Sequence, residues 1–355
     1  MKKRLFSLFM ASTLLFSCSS DDDCCPVSVP ESDYEKGIIV LNEGNFGSGN
    51  ASVSFLNTDT GTINNAIYVS VNGIDLGDTA QSIEIHEELA FIVVNVSNKI
   101  EVVNRFTFKN LGTINSNLDN PRYVEVVGDE IYVTNWGDGM NKDDDFVAIY
   151  NLSDFSFKEK VAVAEGPEKV MAYNQNLYVA HKGGFGYNNI ISVLDSSSKE
   201  VAKEIEVGYL PNSMVIEGSN LFVLSSGKPA YADEETAGSL SFINLSTNEL
   251  METKTFQSIS THPANLIFSN GSYYFNVDKA VYTYKIGESL PSAPQFVLND
   301  VDVLYGLEVK DERLYIASPN SDFTGNGKLN VYDAVSGNLL NSYSAGINPN
   351  SIYFN

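Results

Sequence analysis

A unit of about forty-five residues recurs along this chain. Asn120-Pro121-Arg122-Tyr123-Val124 is followed by Glu130-Ile131-Tyr132-Val133-Thr134-Asn135. The phrase returns as Gly166-Pro167-Glu168-Lys169-Val170 with Asn176-Leu177-Tyr178-Val179-Ala180, and as Leu210-Pro211-Asn212-Ser213-Met214 with Asn220-Leu221-Phe222-Val223-Leu224. His262-Pro263-Ala264-Asn265-Leu266 with Tyr273-Tyr274-Phe275-Asn276 is a further copy. The prolines at 121, 167, 211 and 263 lie 46, 44 and 52 residues apart. Short β segments repeating at this period predict an all-β propeller, one blade per repeat.

Each repeat predicts four strands. The first starts after the proline position and the second carries the Leu-Tyr-Val phrase. The third alternates, as in Phe146-Val147-Ala148-Ile149-Tyr150 and Leu329-Asn330-Val331-Tyr332, and the fourth forms an edge. Six full repeats start near Thr79, Asn120, Gly166, Leu210, His262 and Val303. The C-terminal Asn348-Pro349-Asn350-Ser351-Ile352-Tyr353-Phe354 is a first strand with nothing after it. The N-terminal segments 37–42 and 51–56 are later strands with no first. Joined, the two ends complete a seventh blade and remove the sheet edge of an open array. The propeller is expected over residues 37–355.

The first residues predict export. Lys2, Lys3 and Arg4 precede an apolar stretch, Leu5 to Phe16, too short to span a bilayer permanently. Leu15-Phe16-Ser17-Cys18 resembles a bacterial lipobox, which implies a signal over 1–17, cleavage before Cys18, and lipidation of Cys18. Ser19-Ser20-Asp21-Asp22-Asp23 resembles the surface-export signal of Bacteroidetes lipoproteins. Residues 18–36 are expected to be a tether, with Cys24 and Cys25 as the remaining thiols. The membrane is then touched only through the lipid, on the outer membrane and facing outward. Without Lys2, Lys3 and Arg4, 19 basic residues oppose 45 acidic ones, a formal charge of −26. That balance argues against nucleic acid and favours a self-repelling monomer.

In a propeller, the loops entering the first strands and those between second and third strands share one face. The long loops here are rich in glycine, and each carries aromatic residues: Phe46, Trp136, Phe185 with Tyr187, Tyr231, and Phe323. Asn42 and Asn135 open two of them. Arg122, Tyr209, Asn212, Asn265, Tyr305 and Asn350 approach from the entry loops. Rings with amides on such a rim suit a large, partly polar ligand. His181 and His262 fall on this face in non-adjacent blades, without a third ligand at zinc spacing. Asp138 to Asp145 gathers hard oxygens but lacks the EF-hand order. No nucleophile elbow, dinucleotide glycine pattern or P-loop occurs, so no cofactor or catalytic residue is expected. An enzymatic alternative, a metal-dependent lactonase or lyase, would need carboxylates such as Glu43, Glu168 and Asp302 to converge on the channel.

The repeat phrase resembles the YncE-like, surface-layer-type seven-bladed propellers over residues 37–355. With the lipobox, the acidic run and Asn42-Glu43-Gly44-Asn45, the chain is similar to Bacteroidetes propeller lipoproteins, among them BtuG-type proteins. That resemblance implies capture of a corrinoid such as cobalamin and transfer to a TonB-dependent outer-membrane transporter. A glycan- or protein-binding module is the alternative within the binding class. Cys18→Ala is expected to release the protein from membranes; a variant that still sediments with them would refute the lipid anchor.

Overall fold

The computed structural model describes residues 33–355. The signal, Cys18, the acidic run, Cys24, Cys25 and most of the tether lie outside the described residues. Seven four-stranded antiparallel sheets make up the described fold. Blade 1 joins β1 (Gly37–Asn42), β2 (Ser52–Asn57) and β3 (Thr62–Asn64) to the C-terminal β28 (Pro349–Phe354), its innermost strand. Blade 2 is β4 (Ala80–His86), β5 (Leu89–Val94), β6 (Lys99–Asn104) and β7 (Asn110–Ile114). Blade 3 is β8 (Pro121–Val127), β9 (Glu130–Asn135), β10 (Phe146–Asn151) and β11 (Phe157–Ala162). Blade 4 is β12 (Pro167–Tyr173), β13 (Asn176–His181), β14 (Ile190–Asp195) and β15 (Glu200–Glu206). Blade 5 is β16 (Pro211–Glu217), β17 (Asn220–Ser225), β18 (Ser239–Asn244) and β19 (Glu249–Thr255). Blade 6 is β20 (Ala264–Ser269), β21 (Ser272–Val277), β22 (Ala280–Tyr284) and β23 (Phe296–Val297). Blade 7 is β24 (Gly306–Lys310), β25 (Arg313–Ser318), β26 (Asn326–Asp333) and β27 (Leu339–Ile347).

The expected seven-bladed fold and its closure are both present. β28 pairs with β1 through Ile38↔Phe354, Val40↔Ile352 and Leu41↔Ser351, so the two ends of the propeller share one sheet. Successive first strands touch all the way round, from β4 through β28 and back to β4. One feature lies outside the repeat: a short helix, α1 (Ile67–Asn72), follows the stunted β3 and buries Ile67 and Tyr68 against β2. Tyr34, placed in the tether by sequence, packs edge-on to Phe55 and Phe108 at ring distances of 5.1 and 5.4 Å.

The core lies between blades, not within them. Seven apolar clusters fill the seven gaps, one for each neighbouring pair of blades. Each second strand is therefore covered on both faces, which is why Ala90–Val94, Ile131–Thr134 and Leu177–Ala180 run buried without alternation. The fourth strands lie at the rim, and β19 is mostly exposed and polar. A fully buried Leu, Ile or Phe in such a gap contributes about 1.5–3 kcal/mol.

Two backbone devices recur where the first strands begin. Thr79, Asn120, Gly166, Leu210 and Asn348, each just before a first strand, are left-handed, with φ of 57°, 55°, 67°, 58° and 52°. Glycine alone adopts this region freely, and Thr79 and Leu210 each bear roughly 1–2 kcal/mol of strain there. Gly166 has no alternative, because a Cβ would meet Gly184 N at 2.0 Å. One step later, six first strands carry a β-bulge against their second strands: at Ala80/Ser82, Pro121/Val124, Pro167/Val170, Pro211/Ser213, Ala264/Ile267 and opposite Leu41/Asn42.

Candidate functional site

A bulge puts an extra residue into one strand and re-aims its side chain. Here it aims one residue per blade at the channel: Gln81, Arg122, Glu168, Asn212, Asn265 and Asn350. β24 has no bulge, and Tyr305 immediately before it fills the same place, its N–H donating to Ala317 O. All seven line one cavity of about 420 Å³ at the channel mouth, together with Glu43 and Lys182 from the loops and Tyr123 and Lys169 below. A groove of similar size, about 410 Å³, lies at the outer edge of blades 5 and 6. It gathers no comparable set of charged groups, so the channel mouth is the stronger candidate.

The ring residues also stitch neighbouring blades together. Asn212 Nδ2 donates to Pro263 O at 2.9 Å, Asn265 Nδ2 to Tyr305 O at 3.3 Å and Asn350 Nδ2 to Ala80 O at 3.0 Å. Between blades 3 and 4 the link is ionic: Arg122 Nε and Nη2 donate to Glu168 Oε2 and Oε1, both at 2.9 Å. Burial alone would raise the Glu168 carboxyl, but the Arg122 charge and its two hydrogen bonds hold it below the usual carboxylate range, with Lys182 and Lys169 adding to the effect. The Arg122 guanidinium lies 4.0 Å from the Trp136 ring centroid, and Trp136 meets Phe185 edge-on at 6.0 Å. Across the mouth, Tyr305 Oη and Asn350 Nδ2 donate to the two Glu43 oxygens, each at 3.3 Å. Burial pushes the Glu43 carboxyl up.

A second tier lies deeper, opposite the aromatic of the Leu-Tyr-Val phrase. Glu84 pairs with Phe91, Glu125 with Tyr132, Met171 with Tyr178, Val215 with Phe222, Ile267 with Tyr274 and Glu308 with Tyr315, and in blade 1 Tyr353 takes this place opposite Ile39. Burial, with the nearby Glu125 charge, raises Glu84 to about 8, and burial raises Glu308 to about 7 against the pull of Lys169. Glu308 in blade 7 and Lys169 in blade 4 feel each other's charge, so both face the channel.

The structure separates the residues singled out by sequence. Arg122, Asn265 and Tyr305 line the mouth. Phe46, Phe185 and Tyr231 are 83%, 72% and 87% exposed on the surrounding loops, with Tyr187 and Phe323 partly exposed beside them. Tyr209 is half-buried, with Lys228 Nζ 4.0 Å from its ring centroid. Trp136 is only 8% exposed and serves as a shelf beneath Arg122. Asn42, Asn135 and His181 are fully buried and do not reach the mouth. Each ends a second strand, where the side chain turns between blades and bonds local backbone. Asn42 Oδ1 accepts from Gly346 N, Asn135 Oδ1 accepts from Asp119 N, and His181 Nδ1 lies 2.8 Å from Ala164 O. Burial lowers His181 to about 4, so its ring is neutral. His262 is held between Ser226 O and Glu235 Oε1 at 2.9 and 3.1 Å.

Sequence reading missed Gln81, Lys169, Lys182 and the second-tier glutamates as channel groups. The signal was available in part: Gln81, Arg122, Glu168, Asn212 and Asn350 each follow the first residue of a first strand. Glu43 and Glu168 reach the mouth, whereas Asp302 is not among its lining residues. No group of three or more His, Cys, Asp or Glu close enough to hold a metal occurs among the described residues.

The fold and mouth define a propeller with one convergent polar cavity on its loop face. The chain belongs to the DUF5074 family, a domain of unknown function, whose model matches residues 36–354. No curated protein matches it. A quinonprotein alcohol dehydrogenase-like protein from Bacteroides thetaiotaomicron shares the fold at TM-score 0.65 and 16% identity, over 90% of this chain and 78% of that one. A protein described as a candidate 6-phosphogluconolactonase from Bacteroides uniformis matches at 0.64 and 13%, over 90% and 99%. A functionally unknown protein from Desulfotomaculum acetoxidans matches at 0.63 and 14%, over 90% and 98%. At these identities the likeness establishes the fold alone.

Two predictions follow from the channel charges. Arg122→Gln leaves Glu168 buried without its partner and should cost about 3–5 kcal/mol at neutral pH. In the wild type this pair stabilises above the ordinary carboxylate range and is lost as acid protonates Glu168. In the variant, acid should instead recover stability. Denaturant titrations from pH 5 to 8 showing the same slope in both proteins would refute the assignment. Glu84 behaves oppositely, because its folded value is raised: its stabilising contribution is full in acid and is lost as pH rises through about 8. Glu84→Gln should add about 1–3 kcal/mol at pH 8 and flatten that fall, read from the same titrations.

Proposed function

We propose that this protein is a non-enzymatic capture module that binds a bulky, partly polar ligand on its loop face. The observation carrying this reading is the pairing of two features around one axis. Exposed Phe46, Met140, Phe185 and Tyr231 stand at the tips of four loops. They surround a polar mouth lined from all seven blades. Exposed rings supply contact area at low entropic cost, and the convergent amides and charges below fix orientation.

A corrinoid is the first ligand to test. It offers a broad face for the rim and amide arms for Asn212, Asn265, Asn350 and Tyr305. The resemblance to Bacteroidetes propeller lipoproteins supports the same reading, with the protein lipid-anchored through Cys18 on the outer membrane and delivering to a TonB-dependent transporter. The buried His181 is not the group that would approach a corrinoid cobalt. The lactonase or lyase reading needs carboxylates free to act, yet Glu168 is committed to Arg122 and Glu43 to Tyr305 and Asn350. The glycan reading shares the exposed aromatics but leaves the charged mouth without a role.

Calorimetric titration with cyanocobalamin and cobinamide should give one-to-one binding. Phe46→Ser combined with Phe185→Ser should weaken it at least ~10-fold, with unfolding little changed because both rings are exposed. Absence of heat with both corrinoids would overturn the corrinoid assignment, and an unaltered affinity in the double variant would remove the rim from the site.

A further inference from the structure

The charge at the channel mouth is unevenly compensated. The whole chain carries 22 basic residues against 45 acidic ones. Three of those basic residues, Arg122, Lys169 and Lys182, nevertheless line this one cavity. Arg122 is neutralised by its two hydrogen bonds to Glu168. Lys169 and Lys182 both act on Glu168 through space. Neither ammonium has a hydrogen-bonded or ion-paired partner among the described residues. Lys169 Nζ lies 5.9 Å from the Tyr123 ring centroid. The other carboxylate of the mouth, Glu43, is taken up by Tyr305 and Asn350 on the far side.

We infer that the mouth contains an oxyanion seat, formed by Lys169 and Lys182 beside the Arg122–Glu168 pair, which receives a phosphate or carboxylate group of the captured molecule. The seat stands on the cavity and its lysines; only the larger ligand around it rests on the capture reading.

The physical case is one of missing compensation. A desolvated ammonium without a partner is costly, and an oxyanion supplies both a countercharge and acceptor atoms. Burial pulls Lys169 down, and the carboxylates near it oppose that pull without bonding to it. Lys182 extends from the loop that also carries Phe185, so the seat and the apolar rim belong to one element. Glu168 contributes by holding Arg122 in place, which leaves the two lysines as the groups free to bind. An anion entering here must come down the axis, past the loops. The seat would therefore take a projecting group on a larger body rather than its flat face.

Inorganic phosphate is the direct probe. Calorimetric or NMR titration of the protein at low ionic strength should show saturable one-to-one phosphate binding that weakens as salt is raised. Lys169→Gln and Lys182→Gln should each weaken it at least ~10-fold. Lys203→Gln, which removes an outer-edge lysine paired with Glu249, should leave it unchanged. Unfolding midpoints will show that each variant is folded; if Lys169→Gln is not, Lys182→Gln decides the matter. Wild-type protein without saturable phosphate binding overturns the seat, as does unchanged affinity in either folded lysine variant. Phosphate binding without corrinoid binding would retain the seat and reject the corrinoid. Corrinoid binding without phosphate binding would do the reverse.

Discussion

Face-to-face burial of neighbouring sheets is the constraint on which the rest of this molecule depends. No blade has a core of its own. Each second strand packs on both sides, and the apolar clusters lie in the gaps between blades. A sheet at either end of an open row would leave one such face in water. The ring therefore has to close, and the β28–β1 ladder closes it inside a single sheet. Tyr34 extends this closure by packing on Phe55 of blade 1 and Phe108 of blade 2. Asn355 adds hydrogen bonds to Tyr34 O and Arg105 O from the other end of the chain.

Closure places seven first strands side by side around a narrow axis, and that crowding shapes the mouth. A regular strand would alternate its residues between the two neighbouring gaps. The left-handed residue and the bulge break that alternation at one level, releasing one polar side chain per blade toward the axis. Strain at Thr79 and Leu210 is thus located where the chain departs from pure packing, as expected for positions whose geometry serves a site. The same side chains then bond the next blade, so the ring of the mouth also holds the propeller together. Substitutions there will be read in both stability and binding.

This arrangement explains which features the sequence made legible. Prolines at 121, 167, 211 and 349 open first strands because proline lacks the N–H that a ladder would use, and with Pro263 they mark five of the seven repeats from which the blades are counted. The Leu-Tyr-Val phrase was legible because burial on both faces writes a continuous apolar run. The site was less legible. Asn42, Asn135 and His181 sit at the boundary between strand and loop, and one residue of register decides whether such a side chain enters a gap or the mouth. Trp136 looked like a ligand ring because it is the lone tryptophan on a glycine-rich loop. Its partner proved to be Arg122, from a different strand of the same blade. Lys169 carried no signal, since it follows Glu168 in a segment that reads as an ordinary amphipathic strand until the bulge is known.

The electrostatics of the channel follow from its depth. Near the mouth, cations and carboxylates are paired closely enough for Glu168 to stay ionised although buried. One tier down, Glu84 and Glu308 have no such partner in bonding contact, and burial holds them toward the neutral form. The axis therefore grades from paired charges at the loop face to carboxyls held toward the neutral form within. An anion at the mouth would meet the lysines first and the neutral carboxyls only beyond them, so the second tier would not repel it until those groups ionise. Raising the pH adds negative charge behind Lys169 and works against an anion in front of it. The mouth and the deeper tier thus act as one electrostatic unit, with the strongly acidic exterior set apart from both by the stacked blades.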